Sequence, residues 1–220
     1  MPLILTEKNP LFGKCVLWSS TEDESFYRYA LEAAGLPMTK ISKWHPKRQK
    51  EWMSGRYLVN EYMEEDITKL TVDDHGKPSF KGSDHNFSIS HTQGLVGLLY
   101  HTHPIGLDIQ ITTDKITRVA HKFCTDREYD ILREHIDQQM SEHLIWGLKE
   151  AVFKAYGRGS LSYKNHIFIE SYQADASSKR AMVRLEKEGV YREYQAKISL
   201  IGPYYICQVV EKSNEHDLSS

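Results

Sequence analysis

The sequence has 220 residues, with 28 Lys and Arg against 30 Asp and Glu for a formal charge of −2, and 40% of it is hydrophobic. That is enough apolar material for a core, which excludes a disordered chain, and the near-neutral balance excludes the broad basic footprint of a general nucleic-acid binder. No apolar run approaches the ~20 residues that span a bilayer, and the start lacks the basic-then-apolar order of a secretion signal. Cys15, Cys124 and Cys207 are an odd, widely spaced set without a C-x-x-C pair. They read as free thiols in a reducing compartment, so the expectation is a cytoplasmic protein without a membrane segment.

In chain order, Lys14 to Ser19 reads as a strand. Thr21 and Glu24 have capping-box spacing before a helix that should turn Phe26, Tyr29, Ala30 and Ala33 inward and stop at Gly35. A second helix opens at Pro46 and runs to about Met63, with Trp52, Val59 and Met63 on one face and Arg48 and Arg56 near the other flank. Asp73-Asp74-His75-Gly76 is a turn. Phe87 and Ile89 alternate with Ser88 and Ser90 as in a half-buried strand, and Gly94 separates it from a hairpin partner at Leu95 to Tyr100. Ile105 to Ile111 is a buried strand with Asp108 at its centre. Helices cover Lys115 to Tyr156 with a break near Glu134 to Ser141. Strands follow at His166 to Gln173, Ala181 to Leu185, Tyr191 to Ser199 and Tyr204 to Val210, and the polar tail from Ser213 is expected to fray. Helices followed by strands, twice over, predict an α+β fold of two similar halves, 1–104 and 105–220.

Four places in this order could carry chemistry. Asp108 sits inside an apolar strand, where an ionised carboxylate needs a partner; a structural hydrogen bond or a hard cation such as magnesium would supply one. Glu150 and Lys154 are four apart on a helix otherwise marked by Trp146, Phe153 and Tyr156. That spacing is an ordinary surface ion pair on most helices, but here it places a carboxylate and an ammonium on one rigid apolar face. Lys77 follows the tight turn at Gly76, and Ser90 and His91 end a strand where they could face an anion. Arg48 and Arg56 could fork a phosphate or simply solvate their helix. His101 and His103 share a strand face, without the further ligands that zinc requires. Gly157-Arg158-Gly159 reads as a helix stop.

Five short motifs occur in one order: Gly76-Lys77-Pro78, Phe87-Ser88-Ile89-Ser90-His91-Thr92, Ile105-Gly106-Leu107-Asp108-Ile109, Phe123-Cys124-Thr125-Asp126-Arg127-Glu128, and Trp146-x-x-Lys149-Glu150-x-x-x-Lys154. Together they resemble the 4′-phosphopantetheinyl transferases of the larger, surfactin-synthetase-activating type. The resemblance implies a magnesium-dependent enzyme with its active site in the cleft between two halves. It would move the 4′-phosphopantetheine arm of coenzyme A to a serine of an apo acyl or peptidyl carrier protein, leaving adenosine 3′,5′-bisphosphate. It also implies Asp108 and Glu150 as metal ligands and Lys154 at the phosphate near the reacting centre. Lys77, Ser90 and His91 would grip the nucleotide phosphates, Arg48 or Arg56 would touch coenzyme A, and the enzyme would be monomeric. Many members carry Glu two residues after the metal-binding Asp. Gln110 stands there instead, a possible ligand through its amide oxygen that brings no charge. Glu150 is the first candidate for general base and Glu128 the second. A non-catalytic coenzyme A or carrier-protein binding module, and a magnesium-dependent hydrolase of nucleotide pyrophosphates, are the alternatives.

Overall fold

Strand structure begins earlier than the pattern suggested. In the computed structural model, which describes residues 2–175 and 178–213, Leu3–Asn9 forms a strand, β1, at the edge of a sheet. The tail expected to fray lies, from residue 214, outside the described residues. The chain divides between Thr102 and His103 into two units.

In the first unit β2 (Gly13–Ser19), β5 (Asn86–Thr92) and β6 (Leu95–His101) join β1 in the antiparallel order β1-β2-β6-β5. Helix α1 spans Glu24–Ala33 and α2 spans Pro46–Tyr62, and β3 (Leu70–Val72) and β4 (Pro78–Phe80) form a small ribbon. Val16, Tyr27, Leu31, Met53, Leu58 and Leu98 share one core.

Four expectations for this unit fail. The N-cap of α1 is Asp23, with no side-chain cap bond, so Thr21 and Glu24 form no capping box. The Glu24 carboxylate instead meets Arg28 one turn on, at 2.5 Å. The helix is also rotated from its expected phase. Tyr27 and Leu31, four apart, are the fully buried pair, whereas Tyr29 is 79% exposed, Phe26 and Ala33 face solvent, and of the expected set Ala30 packs against the core. Glu22 explains the rotation: it accepts the Tyr27 hydroxyl at 3.1 Å and the Trp18 indole N–H at 3.2 Å, so a tyrosine can be buried without an orphaned donor. In β5, Ser88 and Ser90 are buried along with Phe87. Finally, only His101 belongs to β6, and His103 lies beyond the strand.

In the second unit β7 (Ile105–Ile111) is the edge of a five-stranded antiparallel sheet. With β8 (Ile167–Ala174), β9 (Lys179–Lys187), β10 (Val190–Ile201) and β11 (Tyr204–Glu211), the order is β7-β11-β10-β9-β8. Helices α3 (Asp114–Val119), α4 (Asp126–Leu132), α5 (Gln138–Tyr156) and α6 (Tyr163–His166) precede β8. Leu144, Leu148, Val152, Val183, Ala196 and Val209 pack in its core, each buried Leu or Val contributing ~1.5–3 kcal/mol. The fold is α+β, and among the described residues no helix is long and apolar enough to cross a membrane.

Helix α5 begins where Asp137 accepts the Met140 amide at 2.8 Å and ends at Gly157, whose φ of +63° is the left-handed turn that glycine adopts without a Cβ clash. The capping box that α1 lacks is present at α4: Thr125 and Glu128 bond each other's backbone amides.

Candidate active site

The site is built on the contact of α5 with β7. Alternate residues of a strand share a face, so Gly106, Asp108 and Gln110 all point one way, at ~3.3 Å of rise per residue. Gly106 lies against the α5 backbone so closely that a Cβ there would be 1.8 Å from the Ala151 carbonyl oxygen. Only glycine permits this approach, and it brings the next strand residue onto the helix. Two positions on, Asp108 is 7% exposed and its Oδ1 accepts Lys154 Nζ at 2.8 Å. Lys154 also donates to the Leu107 carbonyl at 2.9 Å. Glu150, one turn before Lys154, lies on the same stripe. Gln110 donates through its amide nitrogen to the His143 carbonyl and packs beside Gly147.

Burial, and then the nearby Asp108 charge, push the Glu150 carboxyl above its ordinary value; Lys154 and a hydrogen bond from Tyr163 pull the other way. Tyr163 donates its hydroxyl to Glu150 Oε1 at 3.0 Å, and burial raises its own pKa, so it stays a donor at neutral pH. Two acidic groups thus repel each other on one half-buried stripe, with the Lys154 ammonium paired to Asp108.

Burial also pushes the neighbouring Lys149 ammonium down, with Glu128 opposing that shift. Lys149 is fully buried and spends its three protons on the Phe123 carbonyl at 2.7 Å, the Tyr163 carbonyl at 2.9 Å and Glu128. Glu128 is 1% exposed and accepts the Thr125 and Ile169 amides as well. An acid so enclosed ties α4, α5 and β8 together and is not open to a substrate. The reserve base is therefore a structural group.

The other sequence candidates lie in the first unit. On α2, the Arg48 guanidinium stacks over Trp44 at 4.4 Å and Arg56 over Trp52 at 4.6 Å. Burial lowers the Arg56 pKa to about 10, and its Nε is buried without a hydrogen-bond partner among the described residues. His91 is exposed, with Nδ1 3.8 Å from Glu51 of α2, while Ser90 is 4% exposed. Lys77 follows the Asp73–Gly76 turn, where Asp73 Oδ1 accepts its amide at 2.8 Å. The structure therefore joins Asp108, Glu150 and Lys154 into one group and puts His91 beside α2. Tyr163 had no sequence signal at all, because it reaches Glu150 only after the chain reverses beyond Gly157.

Among the described residues no three His, Cys, Asp or Glu side chains cluster as a metal site. The pair Asp108 and Glu150 nonetheless fits magnesium, which binds through one or two carboxylates and keeps its remaining positions for water and phosphate oxygens. Their mutual repulsion is what a dication between them would relieve.

Residues 104–209 match the model of the 4′-phosphopantetheinyl transferase superfamily. Among curated proteins, 4′-phosphopantetheinyl transferase gsp of Aneurinibacillus migulanus is 31% identical over 46% of this chain and 43% of its own length. 4′-Phosphopantetheinyl transferase Sfp of Bacillus subtilis (strain 168) is 31% identical over 41% of this chain and 42% of its own. 4′-Phosphopantetheinyl transferase HetI of Nostoc sp. is 28% identical over 65% of this chain and 68% of its own. The match thus spans about two-fifths of the length of the first two relatives.

Proposed function

From a chain that belongs, through residues 104–209, to the 4′-phosphopantetheinyl transferase superfamily, we propose an enzyme that transfers the phosphopantetheine arm of coenzyme A to a serine of an apo carrier protein. The single observation that carries this reading is the convergence of Asp108, Glu150 and Lys154 on one α5–β7 stripe. The proposed enzyme acts in the cytoplasm as a monomer, and its three buried, free cysteines suit a reducing compartment.

The transfer forms a bond between the serine oxygen and the phosphorus that carries pantetheine. It breaks the bridging P–O bond, so adenosine 3′,5′-bisphosphate leaves with the electron pair. Such a reaction asks chiefly for positioning and charge stabilisation. Lys154, anchored on Leu107 and Asp108, offsets negative charge on the pyrophosphate as the bond breaks. Glu150 is the proposed general base for the serine proton, directly or through a water beside its carboxylate. Asp108 and Glu150 would hold magnesium, which when bound supplies Lewis-acid charge to the phosphate oxygens. Gln110 donates its amide nitrogen to the α5 backbone, which leaves its amide oxygen as the possible further ligand. Lys77, Ser90 and His91, with Arg48 or Arg56, are proposed to grip the nucleotide phosphates.

The test mixes the protein with coenzyme A, magnesium and an apo carrier protein. A carrier mass gain equal to the arm is expected, falling below about one hundredth of the wild-type rate in Asp108→Ala and in Glu150→Ala. Phosphopantetheine released into water would mean a hydrolase, and neither product a binding module. Full rates in both variants would refute the assigned site.

A further inference from the structure

Glu150 has three side-chain torsions and lies near a like charge, so something must hold it if its second oxygen is to face Asp108. The described residues supply one hydrogen-bond donor to it, the Tyr163 hydroxyl, at 3.0 Å. Tyr163 is itself fixed at several points. Its carbonyl accepts Lys149 Nζ at 2.9 Å, and its ring packs against Trp146 at 5.4 Å and Phe153 at 5.8 Å. Trp146, Glu150 and Phe153 follow one another along one side of α5, so the tyrosine ring lies beside the helix with its hydroxyl at Glu150. The turn that delivers it is also braced: Ser162 caps α6 by accepting the Asn165 amide at 3.2 Å, and its own amide donates to His166 Nδ1 at 3.0 Å.

We propose that Tyr163 is a positioning residue, which clamps Glu150 Oε1 and so presents Oε2, together with Asp108, to the divalent cation. The inference rests on the functional reading above and deepens it. A hydrogen bond to a charged acceptor is among the stronger ones, and one made by an already rigid donor costs little further ordering. Losing the hydroxyl leaves the ring packing and the Lys149 contact in place. Glu150 then samples other rotamers, and the cation must order it on binding.

The experiment compares wild type with Tyr163→Phe, using Mn2+ as the probe. Mn2+ binding to the free protein is read by the loss of its electron spin resonance signal. Transfer to an apo carrier is measured as a function of Mg2+, and thermal unfolding serves as the folding control. Tyr163→Phe should weaken Mn2+ binding and raise the Mg2+ concentration for half-maximal rate by roughly three- to tenfold. The rate at saturating Mg2+ should stay within about twofold of wild type. Equal Mn2+ affinity in the two proteins, with or without a lower melting temperature, would make Tyr163 a packing residue and overturn this proposal alone. A wild type that neither binds Mn2+ nor transfers the arm would instead bring down the functional reading, and the clamp with it.

Discussion

Glu150 combines two tendencies that the surrounding side chains only partly reconcile. Its pKa in the folded chain lies above the ordinary 4.5, chiefly through burial and then through Asp108. Between those two values the folded protein holds a proton that the unfolded chain has released, so stability falls as pH rises through that window. Below 4.5 both states are protonated and the penalty vanishes. Glu150→Gln should therefore raise the urea midpoint at pH 7 and change it much less at pH 4, while abolishing transfer. A midpoint at pH 7 no higher than wild type would show that the carboxylate is not strained by its site. Lys149, its neighbour in sequence, illustrates the opposite case: all three of its protons are satisfied in the interior, which makes it a brace whose charge never reaches a substrate. Two adjacent residues of one motif thus meet different surroundings by the helix side on which each falls.

At the scale of elements, the contact that matters is between α5 and β7, and its closest point is Gly106. A methyl at this position would meet the Ala151 carbonyl at 1.8 Å and the Ala155 amide nitrogen at 3.0 Å, and neither is a flexible side-chain end that could swing away. Gly106→Ala should lower stability by ~1–3 kcal/mol or more in urea denaturation. It should also reduce transfer, because Asp108 moves away from Lys154. An alanine variant with unchanged stability and rate would mean that the strand and helix can separate without harm. Gly147, on the same helix, would clash first with the Gln110 amide and the Cys207 thiol, both side-chain groups. The two glycines are therefore not equivalent. Helix α1 shows how an element can be legible while its orientation is not. Glu24 to Ala33 is helical as expected, yet its buried side is chosen by the hydrogen bond from Tyr27 to Glu22 rather than by the apolar spacing of Phe26, Tyr29 and Ala33.

For the whole molecule, the formal charge of −2 hides a local excess of cations. Lys115, Arg118 and Lys122 are exposed along α3 and the turn after it, and Lys164 joins them by donating to the His121 carbonyl. Arg127, close by in the chain, is instead paired with Glu170 at 2.6 Å. An acidic carrier protein would be drawn to this surface, and screening over ~10 Å at 0.1 M salt would weaken the attraction. The carrier KM should therefore rise steeply with salt in wild type and less steeply in a Lys115→Ala, Arg118→Ala, Lys122→Ala variant. Equal salt slopes would place docking elsewhere. The helices read over Lys115 to Tyr156 with a single break are the separate α3, α4 and α5, with α6 beyond them. The sequence alone determined the strands of the second unit to within two residues at their ends, the helix stop at Gly157, and the helical spacing of Glu150 and Lys154. These are legible because apolar periodicity, left-handed glycines and helical spacing are local properties of the chain. Which carboxylate lies near Asp108 and which is sealed inside was decided by tertiary structure, as was the side of α1 that is buried. Glu128 and Glu150 are alike as letters, and only the packing of α4, α5 and β8 surrounds one with amides and an ammonium while leaving the other beside a like charge. Tyr163 could not be foreseen for the same reason: its hydroxyl meets Glu150 across a chain reversal, and no rule of spacing extends through one.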